Sequence, residues 1–273
     1  MEESSSDKGD AAMPIDFHSE RNRFTYASRE VDASWLEKIS ELAEVSGKQA
    51  LDLACGGGIY TKGLVQLGAG HVTGLDFSKE VIAGARIHCQ GIENIEFVEG
   101  NALETGLPGD GYDLILQRAL IHHLDEPGLK QCLLECNRLL RKGGVLLIQN
   151  RTPEDCLLPG SSTHIRGYFF ERYPKLSAKE VKRRYASDVV MNSLRDAGFT
   201  KVEEHQFWET RKIYNEPEQL SDDLLQRTGR SLLHELTDEE LADLVGYIGR
   251  QLQWQAGSPI IEKDRWTIWK ATK

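Results

Sequence analysis

The length, composition and charge of this chain exclude several classes of protein. Its 273 residues are 40% apolar and 28% charged, a balance that is ordinary for a folded protein and argues against overall disorder. The formal net charge is −10, whereas nucleic-acid binding normally requires a basic face. No apolar run approaches the roughly 20 residues of a membrane-spanning helix, and residues 1–10 contain no apolar secretory core. We therefore expect a cytoplasmic protein with neither a membrane nor a nucleic acid as partner.

The cysteines give no sign of a metal site. They number five, and their spacing matches no zinc-binding pattern. Cys132 and Cys136 lie one helical turn apart beside leucines, which favours reduced thiols in a core.

In chain order, the hydrophobic pattern alternates between strands and helices. Residues 1–30 are predicted to form a flexible N-terminal segment, and helical spacing begins with Trp35, Ile39 and Leu42. Strands are predicted at 50–54, 71–75, 95–99, about 114–116 and 145–149. Helices are predicted at 60–66, 79–90 and 127–141, with Gly143 and Gly144 ending the last. Such alternation predicts an α/β fold with a parallel sheet covered by helices on both faces.

After residue 151 the alternation breaks, and two insertions are predicted to form a helical cap on a domain that spans 31–273. Residues 152–183 combine three prolines, an aromatic cluster and a basic run, and residues 217–255 form an acidic helical segment. A helix at 187–197 and strands at 201–214 and 264–272 complete the pattern. The basic residues of 166–184 indicate either a site for an anionic acceptor or a solvated helix face.

The most informative stretch is 51–61, where a short apolar run containing Asp52 is followed by three consecutive glycines, Gly56 to Gly58. Glycine adopts backbone torsions that are closed to other residues and leaves space for a ligand against the main chain. The helix that follows presents unpaired N–H groups and a partial positive charge at its start. This pattern predicts a nucleotide or nucleoside pocket.

Five segments in this order resemble the motifs of the class I S-adenosylmethionine-dependent methyltransferases: 51–58, 71–78, 95–102, 112–117 and 140–145. The resemblance covers about residues 35–152. It implies a Rossmann-like, doubly wound, seven-stranded and mostly parallel sheet. It also implies S-adenosylmethionine as cofactor and in-line methyl transfer to a small molecule. The chain departs from the family pattern at Ala54, where glycine is usual, and at Asn101, where aspartate is frequent.

On this resemblance, the glycine turn and the residue that ends the second strand hold the methionine and ribose parts of the cofactor. Asp52 is expected to support the cationic amine, or else to cap the turn. The backbone of Ala54, Gly56 and Gly58 is expected to lie against the methionine and ribose. Asp76 is expected to accept hydrogen bonds from both ribose hydroxyls, with helix capping as the alternative.

Four further residues are implied at the adenine and methionine ends of the same site. Phe77 would pack on the adenine face or in the core. Asn101 would accept from the adenine amino group or form a turn, and the N–H of Ala102 would meet the adenine ring. Gln117 would contact the methionine end or make a purely structural hydrogen bond.

The general base is not identified by the sequence. His122 and His123, just past the fourth strand, are weak candidates, with a helix-start and packing role as the alternative, and Tyr168 is a further weak candidate. A macromolecular acceptor (RNA or protein) and a non-catalytic S-adenosylmethionine-binding protein stay open, as does the oligomeric state. A nicotinamide-dependent oxidoreductase is disfavoured because Thr61 occupies the third glycine place of the dinucleotide fingerprint.

Overall fold

The computed structural model describes residues 30–255 and 257–273, so nearly all of the predicted flexible segment 1–30 lies outside the described residues. The strands are β1 Gln49–Leu53, β2 His71–Asp76, β3 Ile95–Glu99, β4 Tyr112–Arg118, β5 Leu140–Asn150, β6 Thr200–Tyr214 and β7 Ile260–Thr272. The helices are α1 Ala33–Leu42, α2 Ile59–Gln66, α3 Lys79–His88, α4 Glu126–Leu139, α5 Pro153–Cys156, α6 Ile165–Arg172, α7 Pro174–Lys182, α8 Ser187–Asp196, α9 Pro217–Leu225 and α10 Asp238–Leu252.

The strands form one seven-stranded sheet in the order β3-β2-β1-β4-β5-β7-β6. The pairs β3–β2, β2–β1, β1–β4 and β4–β5 are parallel, and β7 runs antiparallel to both β5 and β6. The predicted doubly wound, mostly parallel sheet is therefore confirmed. The strand order reverses between β1 and β4, and such a switch point leaves a crevice at the carboxyl edge of the sheet.

Both faces of the sheet are covered by helices because its central strands are apolar on both sides. On β4, Leu114 and Leu116 belong to the core cluster formed with α1 and α2, whereas Ile115 belongs to the cluster formed with α4 and α8. All five cysteines are buried and unpaired, as predicted for Cys132 and Cys136. None of the helices within 30–255 and 257–273 is both long and apolar enough to cross a bilayer.

The junction between α4 and β5 differs from the sequence prediction. The helix ends at Leu139, not at residue 141, and β5 begins at once, so Gly143 and Gly144 lie within the strand. Leu140 pairs with Tyr112 and Val145 pairs with Leu114, so the register shifts at this point. Gly143 has a φ of +80°, which glycine adopts easily, and the two glycines therefore serve a strand irregularity and not the helix end.

The two predicted cap segments are helical and share one apolar core. The first contributes α5, α6 and α7, and the second contributes α9, a 3₁₀ turn at Ser231–Glu235, and α10. Phe169 of α6 packs in one buried cluster with Leu224, Leu233 and Leu244 from the second segment. The division of the chain at residue 31 stays a prediction, because residues 1–29 lie outside the described part.

Candidate functional site

The glycine turn between β1 and α2 is a tight bend in which three residues have left-handed torsions. The φ values are +65° at Ala54, +53° at Gly56 and +80° at Gly58, which is the N-cap of α2. A Cβ at Gly58 would lie 3.1 Å from both Cys89 Sγ and Phe97 Cζ, whereas a Cβ at Gly56 would meet nothing within 4 Å. Gly58 is therefore required by packing, while the space in front of Gly56 is open to a ligand.

The carboxylate of Asp76 is held against this turn from the end of β2. Its Oδ2 accepts from the backbone N–H of Gly56 at 3.0 Å, and its Oδ1 accepts from Ser78 N–H at 3.1 Å. Asp76 is 7% exposed, and burial raises its pKa. The helix-capping alternative is taken by another residue, because the side chain of Ser78 accepts from Val81 N–H at the start of α3. Each Asp76 oxygen keeps acceptor capacity for a hydroxyl.

The carboxylate of Asp52 lies near the end of β1, just before the turn, and is almost completely enclosed. It is 1% exposed, and Thr61 Oγ1 donates to its Oδ2 at 2.6 Å. Burial raises the pKa of Asp52 to about 7. Because desolvation destabilises the anion, a cationic ligand group beside Asp52 would be bound favourably.

The residues predicted on the adenine side have contrasting environments. Phe77 is 55% exposed, so the core alternative is wrong and the ring is accessible. Asn101 Oδ1 accepts from Leu103 N–H at 2.9 Å, which is the predicted turn. Ala102 packs partly against the sheet core. An additional role of Asn101 and Ala102 at adenine stays a prediction.

Gln117 is fully buried at the end of β4, where it pairs in register with Leu53 of β1. Its Nε2 lies 3.0 Å from Cys132 Sγ, which is the structural hydrogen bond named as the alternative. Its Oε1 is buried and has no hydrogen-bond partner among the described residues. A contact of Gln117 with the methionine end of the cofactor stays a prediction.

The two candidate histidines form a 3₁₀ turn directly after β4, with their ring centroids 4.0 Å apart. Burial, together with the nearby guanidinium of Arg184, lowers the pKa of His122 well below its usual range. Burial and the guanidiniums of Arg183 and Arg184 lower the pKa of His123 to about 4. Both imidazoles are therefore neutral at physiological pH, and a neutral imidazole can accept a proton.

Tyr168 has a different environment from the histidines, because it belongs to the core of the cap. Its side chain is buried in the cluster that α6 shares with α9 and α10, and its ring meets Tyr247 edge-on at 6.1 Å between centroids. Burial raises the pKa of Tyr168, so its hydroxyl stays protonated at neutral pH and the phenolate that could act as a base is rarer. Its candidacy as the general base stays a prediction. No cluster of metal-ligating side chains is present within the described residues.

Comparison with known proteins finds a family that resembles part of the chain. Residues 50–144, which contain the glycine turn and both carboxylates, match the family described as a methyltransferase domain. This segment of the chain is therefore similar to methyltransferase domains, in agreement with the resemblance that the sequence motifs indicated. The cofactor of this family is S-adenosylmethionine.

The similarity to individual methyltransferases is partial in sequence. The ubiquinone biosynthesis O-methyltransferase of Nitrosococcus oceani is 35% identical over 124 residues, which are 44% of this chain and 51% of that protein. The chain therefore spans about half the length of this relative.

Solved structures extend the likeness to most of the fold. An S-adenosylmethionine-dependent methyltransferase from Mesorhizobium loti matches with a TM-score of 0.51 and 19% identity, covering 89% of this chain and 98% of that one. The [4+2]-cyclase SpnF matches with a TM-score of 0.55 and 17% identity, covering 90% of this chain and 85% of that one. Because one fold carries a methyltransferase and a cyclase, the fold alone does not determine the reaction.

The methyltransferase motifs gave no signal for two arginines that follow the central strands. Arg118 at the end of β4 lies over the rings of Tyr60 and Trp266, at 4.1 and 4.3 Å, and pairs with Glu209 at 2.8 Å. Arg151 directly follows β5 and lies 3.8 Å over the same Trp266 ring. Their place immediately after Gln117 and Asn150 is the signal that could have found them, since ligands bind at the carboxyl ends of such strands.

Proposed function

We propose that this protein transfers the methyl group of S-adenosylmethionine to a small-molecule acceptor by in-line displacement. The observation that carries the proposal is the placement of two buried carboxylates at the glycine turn: Asp76 accepts from Gly56 N–H, and Asp52 near the end of β1 accepts from Thr61 of α2. This arrangement lies at the switch point of the sheet, where open α/β folds bind their ligands.

The residues of this edge fit the parts of the cofactor. Asp76 is oriented by two backbone N–H groups, and its remaining acceptor capacity suits a ribose diol. Asp52 would stabilise the positive charge, directly or through water, since its ionisation is otherwise opposed by burial. The exposed ring of Phe77 would cover the adenine face.

The bound cofactor supplies a methyl group that is already activated, so the protein must mainly align the acceptor and remove its proton. His122 or His123 would accept that proton, since both lie in the turn that follows β4 and both rings are neutral at physiological pH, although their lowered pKa makes each a weak base. The cap of α6, α7, α9 and α10 would cover a small acceptor. The net charge of −10 disfavours an RNA acceptor.

Calorimetric titration with S-adenosylmethionine and S-adenosylhomocysteine tests the cofactor half of the proposal. Wild type should bind both, and Asp76→Asn should weaken binding about tenfold or more, because a hydrogen bond to a charged group contributes about 1.5–3 kcal/mol. The matched control is Asp196→Asn, the same substitution at an exposed position of α8, which should leave affinity unchanged. Absence of binding to the folded wild type at millimolar ligand would refute the proposal.

A radiolabelled methyl donor tests the acceptor half. Extract fractions separated by molecular weight are incubated with the enzyme and the labelled cofactor, and the label should enter the small-molecule fraction. Label that enters only protein or RNA would replace the small acceptor with a macromolecule. Cofactor binding with no label transfer to any fraction would identify a non-catalytic S-adenosylmethionine-binding protein.

A further inference from the structure

A group of buried guanidiniums lies beyond the end of β5. Glu180 of α7 is fully buried and accepts from Arg166 Nη2 and Arg184 Nη2, each at 2.7 Å. The guanidinium of Arg183 also pairs with Glu180. Three cations therefore share one carboxylate. The solvated helix face that the sequence also allowed describes the rest of the basic run, in which Arg172, Lys175 and Lys179 have exposed side chains.

A fourth guanidinium belongs to the same group. Arg151, directly after β5, pairs with Asp264 at 3.0 Å. Its positive charge contributes to the lowered pKa of both Arg183 and His122. The four residues Arg151, Arg166, Arg183 and Arg184 are named the arginine cluster below. Its four cations face two paired carboxylates, Glu180 and Asp264.

A further carboxylate that acts on the cluster, Asp155, does not restore the charge balance. Asp155 lies within electrostatic reach of Arg184, but it pairs with its own arginine, Arg265, at 3.2 Å. Charges taken out of water normally have counterions, because an uncompensated buried charge costs several kcal/mol. The arginine cluster is therefore locally cationic inside a protein whose net charge is −10.

Unpaired donor atoms also indicate that the arginine cluster lacks negatively charged acceptors. The Nε groups of all four arginines are buried and have no hydrogen-bond acceptor within the part of the chain that the structure describes. Burial, followed by repulsion from the neighbouring guanidiniums, lowers the pKa of Arg183 to about 9. Burial likewise lowers the pKa of Arg151 to about 9, against the attraction of Asp264. An added negative charge would relieve both effects.

Two contacts place the cluster beside the candidate base. Arg184 Nη1 donates to Asn150 Oδ1 at 2.8 Å, which joins the cluster to the last residue of β5. The hydroxyl of Tyr185, the next residue, donates to Leu124 O at 2.8 Å, directly after the histidine turn. The cluster therefore lies at the carboxyl edge of β4 and β5, next to His122 and His123.

We propose that the arginine cluster binds an oxyanion of the methyl acceptor, a carboxylate or a phosphate group, and so holds the acceptor beside the histidine turn. This inference rests on the proposed methyl transfer. Guanidinium groups present planar pairs of N–H donors that match carboxylate and phosphate oxygens. Arg183 forms the accessible side of the site, since its side chain is 24% exposed against 3% for Arg184.

Inorganic phosphate and benzoate serve as probes of the two oxyanion classes. Each is titrated into the full-length protein by calorimetry, with potassium chloride holding the ionic strength constant so that general screening is the same throughout. At least one probe should bind saturably and raise the unfolding temperature. Binding of phosphate alone assigns a phosphorylated acceptor, benzoate alone a carboxylated one, and both together a site for either group.

The decisive variant is Arg183→Met, with Lys182→Met as the matched control. Lys182 is exposed, and its replacement removes the same charge one position away. Probe affinity should fall about tenfold or more in Arg183→Met, the size of one lost charge-assisted hydrogen bond, and stay within about twofold in Lys182→Met. Glu180 keeps Arg166 and Arg184 in this variant, so folding should persist.

Saturable binding of neither probe, or equal loss of affinity in both variants, would overturn the inference. If Arg183→Met does not unfold cooperatively, Arg183→Lys takes its place, because lysine keeps the charge and loses only the paired N–H donors. A probe affinity of Arg183→Lys equal to that of wild type would then count against the site. S-adenosylhomocysteine is titrated into the same samples. Its failure to bind would refute the proposed function, whereas its binding without oxyanion binding would refute only this inference.

Discussion

Replacing Asp52 with asparagine should stabilise the cofactor-free protein, and more strongly as the pH rises. Asp52 is 1% exposed, and burial raises its pKa from the ordinary value of 3.8 to about 7. Between these two values the unfolded chain has already released the proton that the folded chain still holds. The contribution of Asp52 to the free energy of unfolding of the wild type therefore falls as the pH rises from about 4 to about 7, and this loss is complete above pH 7.

The size of the effect follows from the separation of the two pKa values. Each pKa unit corresponds to about 1.4 kcal/mol, so the raised pKa of Asp52 lowers the free energy of unfolding by up to about 4 kcal/mol at pH 8 and by about 2 kcal/mol at pH 5. Asparagine has a similar shape, stays neutral, and keeps one oxygen that can accept from Thr61. The asparagine variant should gain this stability in the absence of cofactor.

Urea unfolding at pH 5 and pH 8 measures the effect, and Asp113→Asn is the control of opposite sign. Although partial burial opposes it, the pKa of Asp113 is lowered by the backbone N–H of Gln49 and by Arg141. Asp113→Asn should therefore lose stability at pH 8. A difference in free energy of unfolding between Asp52→Asn and wild type that is the same at both pH values would refute this reasoning. So would a wild type that is the more stable at pH 8, because Asp52 would then not have a raised pKa in the folded protein.

Three further predictions concern the same edge of the sheet. Binding of S-adenosylmethionine at pH 7 should release protons, because a cationic ligand lowers the pKa of Asp52. Released protons are taken up by the buffer, so the binding heat should differ between Tris and PIPES. Equal heats in the two buffers, after correction for dilution, would contradict this prediction. Ala54 has a φ of +65°, so Ala54→Gly should change the free energy of unfolding by less than about 1 kcal/mol, whereas Ala54→Val should lower it by more than about 2 kcal/mol. If wild type and both variants have equal midpoints of urea unfolding, the turn is not strained. A Cβ at Gly74 would lie 2.6 Å from Phe97 Cε1, so Gly74→Ala should cost about 1–3 kcal/mol. Phe97→Leu should restore part of this loss, and Gly249→Ala, in open space on α10, should cost nothing in the same urea assay.

Most of the fold was predictable from local patterns. The apolar runs of β1 and β4 predicted strands buried on both faces, because an alternating backbone exposes every second side chain to one face and a continuous run fills both. The order of the motifs predicted the sheet and the family, and it placed Asp52, Asp76 and the glycine turn at one edge. These inferences need only the period of each element and the rule that parallel strands end together.

Other features were not predictable, because they depend on neighbours that are remote in sequence. The left-handed torsion at Ala54 marks a strained backbone position, whereas the sequence suggested only that a small residue fits there. The sequence allowed Asp76 either to bind the ribose or to cap α3. The structure shows that the hydroxyl of Ser78 caps this helix, by accepting from Val81 N–H.

The basic run is the clearest case of a property that resides in the packing. Its composition is the same whether Arg183 and Arg184 extend into water or turn inward, and both arginines pair with Glu180, a buried residue of α7. Backbone periodicity is encoded within a few neighbouring residues, and so it can be inferred from the chain. The balance of buried charge is set by groups that only folding brings together, and so the excess of guanidiniums beside His122 became visible only in three dimensions.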